Sequence, residues 1–216
     1  MQEQFWHERW ENNQIGFHQT LVNPFLEQYL SALALNKNAH IFVPLCGKTL
    51  DIHWLIQQGF RVSGVELSEI AIQQLFAELN LPHQVIHTKQ FKHYHAENLD
   101  IYVGNIFDLT DALLPQVDAV YDRAALVALP PNMRKMYVQH LLSITHQAAQ
   151  LLIHFQYPQQ DLEGPPFSIS DEEIKDLYSI LPHKKLLKAQ QLYHDSLNQR
   201  IHNNSEIWEK VWLIHA

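Results

Sequence analysis

The chain has 216 residues, of which 46% are hydrophobic and 18% charged, with a formal net charge of −8; that is enough for one well-buried domain and too little for two comfortable ones. An acidic balance without clustered Lys and Arg excludes a nucleic-acid backbone as the main partner, and no window approaches the roughly 18 uninterrupted apolar residues of a membrane span. The lone cysteine, Cys46, forms no internal disulfide and the N-terminus lacks a signal peptide's apolar stretch, which together point to a reducing, cytoplasmic setting.

The first 22 residues are acidic and aromatic, and Trp6, Trp10 and Phe17 recur at spacings of four and seven, which predicts one helical face. Asn23 to Leu35 repeats Phe25, Leu26, Tyr29, Leu30 and Leu33 at helical intervals. Ile41 to Pro44 reads as a buried strand, Gly47 as a tight turn, Leu50 to Gln58 as a helix and Arg61 to Glu66 as a second strand. Ser68 caps a helix that runs to Leu79. His83, His87, His93 and His95 follow in a polar stretch, without H-E-x-x-H spacing or supporting cysteines. That stretch is expected to be mobile and solvated, and no metal is expected. Strands are predicted over Asp100 to Val103, Val117 to Tyr121 and Ala149 to Tyr157, with helices over Asn132 to Ala148 and Asp171 to Ser179. Two extended stretches, Lys185 to Tyr193 and Ile207 to Ile214, bracket a polar turn as a hairpin would. The alternation predicts an α/β fold: a doubly wound, mostly parallel sheet with helices on both faces and a C-terminal antiparallel hairpin. No repeat or low-complexity linker divides it, so residues 1–216 are expected to be a single domain.

The unit from Ile41 to Glu66 carries the chemistry. A strand feeding a helix through a glycine turn leaves backbone N–H groups free beside the strand end. An acid closing the next strand can accept hydrogen bonds from two ribose hydroxyls, and Glu66 follows Gly47 at the spacing of about 20 residues that such sites use. Gly-Lys-Thr at 47–49 is not a Walker loop, because no glycine run precedes it and Pro44 removes an N–H. A dinucleotide cradle is also missing. A nucleoside without phosphates fits, and S-adenosylmethionine is the common one. Cys46 reads as a small apolar loop filler, since no partner marks it as a nucleophile.

The ordered segments WHERWENNQIGFH, VNP, IFVPLCGKTLDIHWL, GVELSE, DRAALVALP and GPPFSIS resemble the thiopurine S-methyltransferases, down to the P-L-C-G-K form that replaces the usual glycine-rich motif. The resemblance implies a class I (Rossmann-like) methyltransferase, cytosolic and monomeric, that turns S-adenosylmethionine into S-adenosylhomocysteine while methylating aromatic and heterocyclic thiols. It further implies that residues 1–22 fold over the site as a lid and that Trp10 and Leu45 contact the cofactor beside Glu66. Phe17 and His18 would lie near the acceptor. Asn105 and Ile106, just past the third parallel strand, would hold the adenine, and Asp122 and Arg123 would end the fourth beside the methyl group. Arg123 either holds the cofactor's carboxylate or favours the acceptor's thiolate. Pro165 and Pro166 would stiffen a loop on which Phe167 walls the acceptor pocket. The partner is then a small molecule, with neither nucleic acid nor membrane. Methylation of selenium or tellurium species, and a non-catalytic binding module, are the alternatives.

Overall fold

The computed structural model describes residues 3–193, 197, 200 and 205–216. Its helices are α1 (Glu3–Glu11), α2 (Pro24–Tyr29), α3 (Leu50–Gln57), α4 (Glu69–Leu79), α5 (Pro131–Ile144) and α6 (Asp171–Leu177). Its strands are β1 (His40–Pro44), β2 (Arg61–Glu66), β3 (Gln84–His87), β4 (Lys92–Ala96), β5 (Leu99–Val103), β6 (Ala119–Arg123), β7 (Ala149–Gln156), β8 (His183–Gln191) and β9 (Trp208–His215). They form one sheet in the order β3-β4-β5-β2-β1-β6-β7-β9-β8.

The central five strands run parallel, as alternating strands and helices require. Each is buried on both faces, so neighbouring residues serve opposite layers. Phe42, Val120 and Leu152 pack towards α5 and α6, whereas Ile41, Tyr121 and Ile153 pack towards α2, α3 and α4. At one edge β8 and β9 pair antiparallel, and β9 alone meets β7. Most of the polar turn between them lies outside the described residues.

Three expectations are corrected. The histidine-rich stretch forms β3 and β4, which extend the other edge antiparallel to β5. Its period-two signal was disguised because the residues alternating with buried Tyr94 and Ala96 are histidines. The helix starting at Pro24 becomes a 3-10 turn over Leu30–Leu33 and stops at Ala34, whose φ is 51°. α1 ends at Glu11, with Asn13 at φ 51°, so Phe17 lies beyond the helix. The three aromatics still meet, Phe17 standing edge-on to Trp6 at 5.7 Å and to Trp10 at 5.6 Å.

Candidate active site

The carboxyl ends of β1, β2 and β6 converge on one edge of the sheet, where open α/β sheets bind ligands. β1 leads into Leu45 and Gly47, both left-handed with φ of 46° and 53°. Thr49 then caps α3 by accepting from Asp51 N–H. A left-handed leucine is costly for an L-residue, by roughly 1–2 kcal/mol. Leu45 is held there because the next N–H, that of Cys46, donates to Val65 O at 3.0 Å. Ala124, following β6, repeats the pattern with φ 63°. Strained non-glycine residues thus follow two strand ends, and both face one cavity.

Glu66 closes β2 and is buried. Its Oε2 accepts Gly47 N–H at 2.9 Å and its Oε1 accepts Ser68 N–H at 2.9 Å. Burial raises its pKa, and these backbone donors work against that shift. The carboxylate is therefore aimed by both flanking turns, and each oxygen keeps acceptor capacity towards the cavity. Trp10 of α1 roofs the turn, and a Cβ added to Gly47 would sit 3.1 Å from Trp10 Cζ2. Only a glycine lets the roof approach so closely.

The cavity holds about 550 Å³, within the usual range for small-molecule sites. α1 and the segment after it supply Phe5, Trp6, Arg9, Trp10, Phe17 and His18, while the strand ends supply Leu45, Glu66 and Arg123. Phe155, Pro165, Pro166, Leu197 and Arg200 close the far side. Among the described residues four cations face it: Arg9, Lys48, Arg123 and Arg200. Lys48 is tied to Glu78 at 2.7 Å and Arg200 donates to Pro165 O at 3.2 Å. Burial, then the Lys48 cation, hold the His18 imidazole below its ordinary pKa. Beneath the cavity Asp51 accepts from Asn23 N–H at 2.8 Å and from Tyr121 O–H at 2.9 Å, fastening the exit of the N-terminal segment to the sheet.

Of the residues singled out from sequence, Trp10, Phe17, His18, Leu45, Glu66 and Arg123 come together in this cavity. Asp122 does not. Strand alternation turns it to the other face, where it is fully buried and accepts from Tyr137 O–H at 2.7 Å and Leu126 N–H at 3.1 Å. Desolvation there pushes its pKa up to about 6. Asn105 caps the turn after β5 by accepting Phe107 N–H, and its amide donates to Glu3 Oε1 at 2.6 Å, so it is turned towards α1. Ile106 is buried in the core facing α5. Neither is among the described residues lining the cavity. Phe167 also misses the wall: its ring folds back over Gly164, beneath the Arg134 guanidinium, and leaves Pro165 and Pro166 as the lining. Arg9 and Arg200 were not anticipated. Arg9 lies one residue before Trp10 and was within reach of a charge-pattern argument. Arg200 sits in a polar stretch that gives no signal of its placement.

A family model described as thiopurine S-methyltransferase matches residues 1–216. The chain is 48% identical over 212 residues to a thiopurine S-methyltransferase of Acinetobacter baylyi, covering 96% of this chain and 97% of that one. Among solved structures it resembles a Burkholderia thailandensis 1,6-didemethyltoxoflavin-N1-methyltransferase with bound 1,6-didemethyltoxoflavin and S-adenosylhomocysteine. That match has a TM-score of 0.64 at 12% identity and covers 99% of this chain and 87% of that one. An S-adenosylmethionine-dependent methyltransferase of Anabaena variabilis gives a TM-score of 0.61 at 14% identity, covering 99% and 95%. At such identities the two structures establish the fold alone, a class I methyltransferase fold.

Proposed function

The chain belongs to the thiopurine S-methyltransferase family of S-adenosylmethionine-dependent methyltransferases, and on that premise we propose that it methylates the sulfur of an aromatic or heterocyclic thiol by in-line displacement. The observation that carries the proposal is the fixed Glu66 carboxylate under Trp10, sharing one cavity with the Arg123 cation.

The cavity fits a phosphate-free nucleoside cofactor. Glu66 has acceptor capacity left for two ribose hydroxyls, and the glycine at position 47 keeps the space under Trp10 clear. When bound, S-adenosylmethionine supplies a methyl group already activated by its sulfonium charge. Trp10 offers a flat aromatic face to that cation or to the purine. Residues 1–22 then serve as the lid, α1 being tied down by the Glu3–Asn105 bond. Asp122 and Tyr137 hold the turn after β6 and so position Arg123 without touching the reacting atoms. Arg123 makes no ion pair among the described residues, so its charge is available to the acceptor. A cation within about 4–6 Å lowers an acid's pKa by about 1–3 units. Heterocyclic thiols then ionise near neutral pH without a dedicated base. Trp6, Phe17 and Phe155 supply apolar walls, and the neutral His18 ring can hydrogen-bond the acceptor without adding charge. The remaining task is alignment, which proximity and orientation supply.

The test is mass-spectrometric: incubate the protein with S-adenosylmethionine and 6-mercaptopurine and follow the S-methyl product, with Glu66→Ala as control. Product that collapses in the variant supports the proposal. Cofactor binding without transfer to any aromatic thiol would redirect it to selenite or tellurite, which also suit a cavity ringed by cations.

A further inference from the structure

Outside the cavity, three metal-ligating side chains converge on the antiparallel pair β4 and β5. His93 lies opposite Tyr102 and His95 opposite Asp100. Side chains two residues apart share a face, so all four project from the same side of the sheet. Asp100 Oδ1 is 2.6 Å from His93 Nε2 and 2.7 Å from His95 Nδ1. One donor atom from each residue lies within 4.8 Å of the other two. The His93 ring is stacked on Tyr102, with centroids 4.5 Å apart and planes 13° apart, and the Tyr102 hydroxyl is anchored on Leu113 O. Three donors therefore stand on paired strands, and the orientation of one imidazole is already fixed.

We propose that His93, His95 and Asp100 form a binding site for a borderline divalent transition ion such as Zn²⁺ or Ni²⁺, separate from the methyl-transfer cavity. Two imidazole nitrogens and one carboxylate oxygen are the donor set that suits these ions, whereas Mg²⁺ and Ca²⁺ take oxygen ligands. With metal–ligand distances of about 2.0–2.2 Å, tetrahedral neighbours sit roughly 3.3 Å apart. The carboxylate then withdraws by about 0.6–0.7 Å from each imidazole, and the two ring nitrogens, which lie within 4.8 Å of one another, close by up to about 1.5 Å. His95 is half exposed, so its ring has room to turn and the remaining coordination positions are open to water. The site lies towards the start of β5, where Asp100 pairs with Ser63, while the cavity lies beyond the far end of β2 at Glu66. Its effect would be to clamp β4 and the outer strand β3 to the sheet, leaving methyl transfer untouched.

The experiment is calorimetric titration of tag-free, chelator-treated protein with Zn²⁺, paired with thermal unfolding. One equivalent should bind with a micromolar or tighter Kd, and at about 100-fold excess over Kd the Tm should rise by several degrees. His95→Ala should weaken binding at least about tenfold with methyl transfer unchanged. His83→Ala, whose ring lies against Tyr94 and Phe76, should bind like the parent, and Mg²⁺ should give no shift. The chain has 15 histidines, so Zn²⁺ affinity that survives His95→Ala would mean the ion sits elsewhere and would overturn the proposal. So would the absence of saturable binding at millimolar Zn²⁺, which would leave the cluster a hydrogen-bonded carboxylate and nothing more.

Discussion

Replacing Glu66 by glutamine separates the carboxylate's two tasks. Each oxygen accepts a different backbone N–H, from Gly47 and from Ser68, both at 2.9 Å. A glutamine has one oxygen and one NH₂, so in either orientation the NH₂ faces an N–H donor. The loss of one charge-assisted hydrogen bond amounts to about 1.5–3 kcal/mol. Opposing it, a buried charge disappears, and burial is the largest influence on the Glu66 pKa, holding it above its ordinary value. Relief of that desolvation offsets part of the loss, so the fold should lose less than about 2 kcal/mol, a Tm drop of a few degrees. Cofactor binding has no such offset. A neutral amide is a weaker partner for two hydroxyls, and a loss of about 2–3 kcal/mol weakens affinity roughly 30- to 150-fold. Calorimetric titration with S-adenosylhomocysteine and a thermal melt, run on the same samples, read both effects. Affinity within about threefold of the parent alongside a large drop in Tm would refute the reasoning, since Glu66 would then be only a brace between two turns.

Arg123→Ala should lower kcat by at least tenfold while S-adenosylhomocysteine affinity changes little; equal losses in both would move Arg123 to the cofactor. Gly47→Ala forces a side chain into φ 53° and within 3.1 Å of Trp10, so it should loosen the lid and weaken cofactor binding about tenfold. Unchanged affinity and tryptophan fluorescence would count against the roof. His154 is buried, accepts from Trp212 Nε1–H at 3.0 Å, and is depressed by burial from 6.5 to about 4. On acidification the unfolded chain takes up this proton first, so the stability from His154 is fully present above about pH 6.5 and lost towards pH 4, with about 2 kcal/mol gone by pH 5. Asp122, raised to about 6, acts in the opposite sense, its stabilising protonated form being lost as pH rises from about 3.8 through 6. Urea unfolding of His154→Gln should therefore show a variant-minus-parent difference that favours the variant by about 2 kcal/mol more at pH 5 than at pH 7. A difference independent of pH would contradict this assignment.

Where sequence and structure agree, strong periodicity or turn chemistry was present. The five parallel strands carry apolar stretches with Gly, Pro, Asn or Asp near at least one end, and Glu66 sits where the strand–turn–helix–strand unit requires an acid. Leu45 was legible only through resemblance, because a left-handed leucine follows no propensity rule. β4 was missed because histidine counts as polar while its ring packs like an aromatic, as His93 does on Tyr102, and β3 because all four of its residues are exposed and give no buried alternation. Asp122 shows the converse. Its position at a strand end was right, but at a strand end one residue decides between cavity and core, and the neighbour Arg123 takes the cavity. Phe167 was misplaced because its direction depends on how the loop after β7 folds back on Gly164, which no local pattern reports.

The placement of β9 has a consequence during synthesis. β8 leaves the ribosome before β9, yet its ladder partner is β9, and β9 is also what covers the flank of β7. Until Trp208–His215 has emerged, the nascent chain carries a bare β7 edge in which Leu151 to Ile153 are destined for the interior. Such an edge can recruit strands of other chains. Stalled or truncated translation products ending before Trp208 are therefore the species most prone to aggregate and to need chaperone attention, whatever the soundness of the catalytic half they already contain.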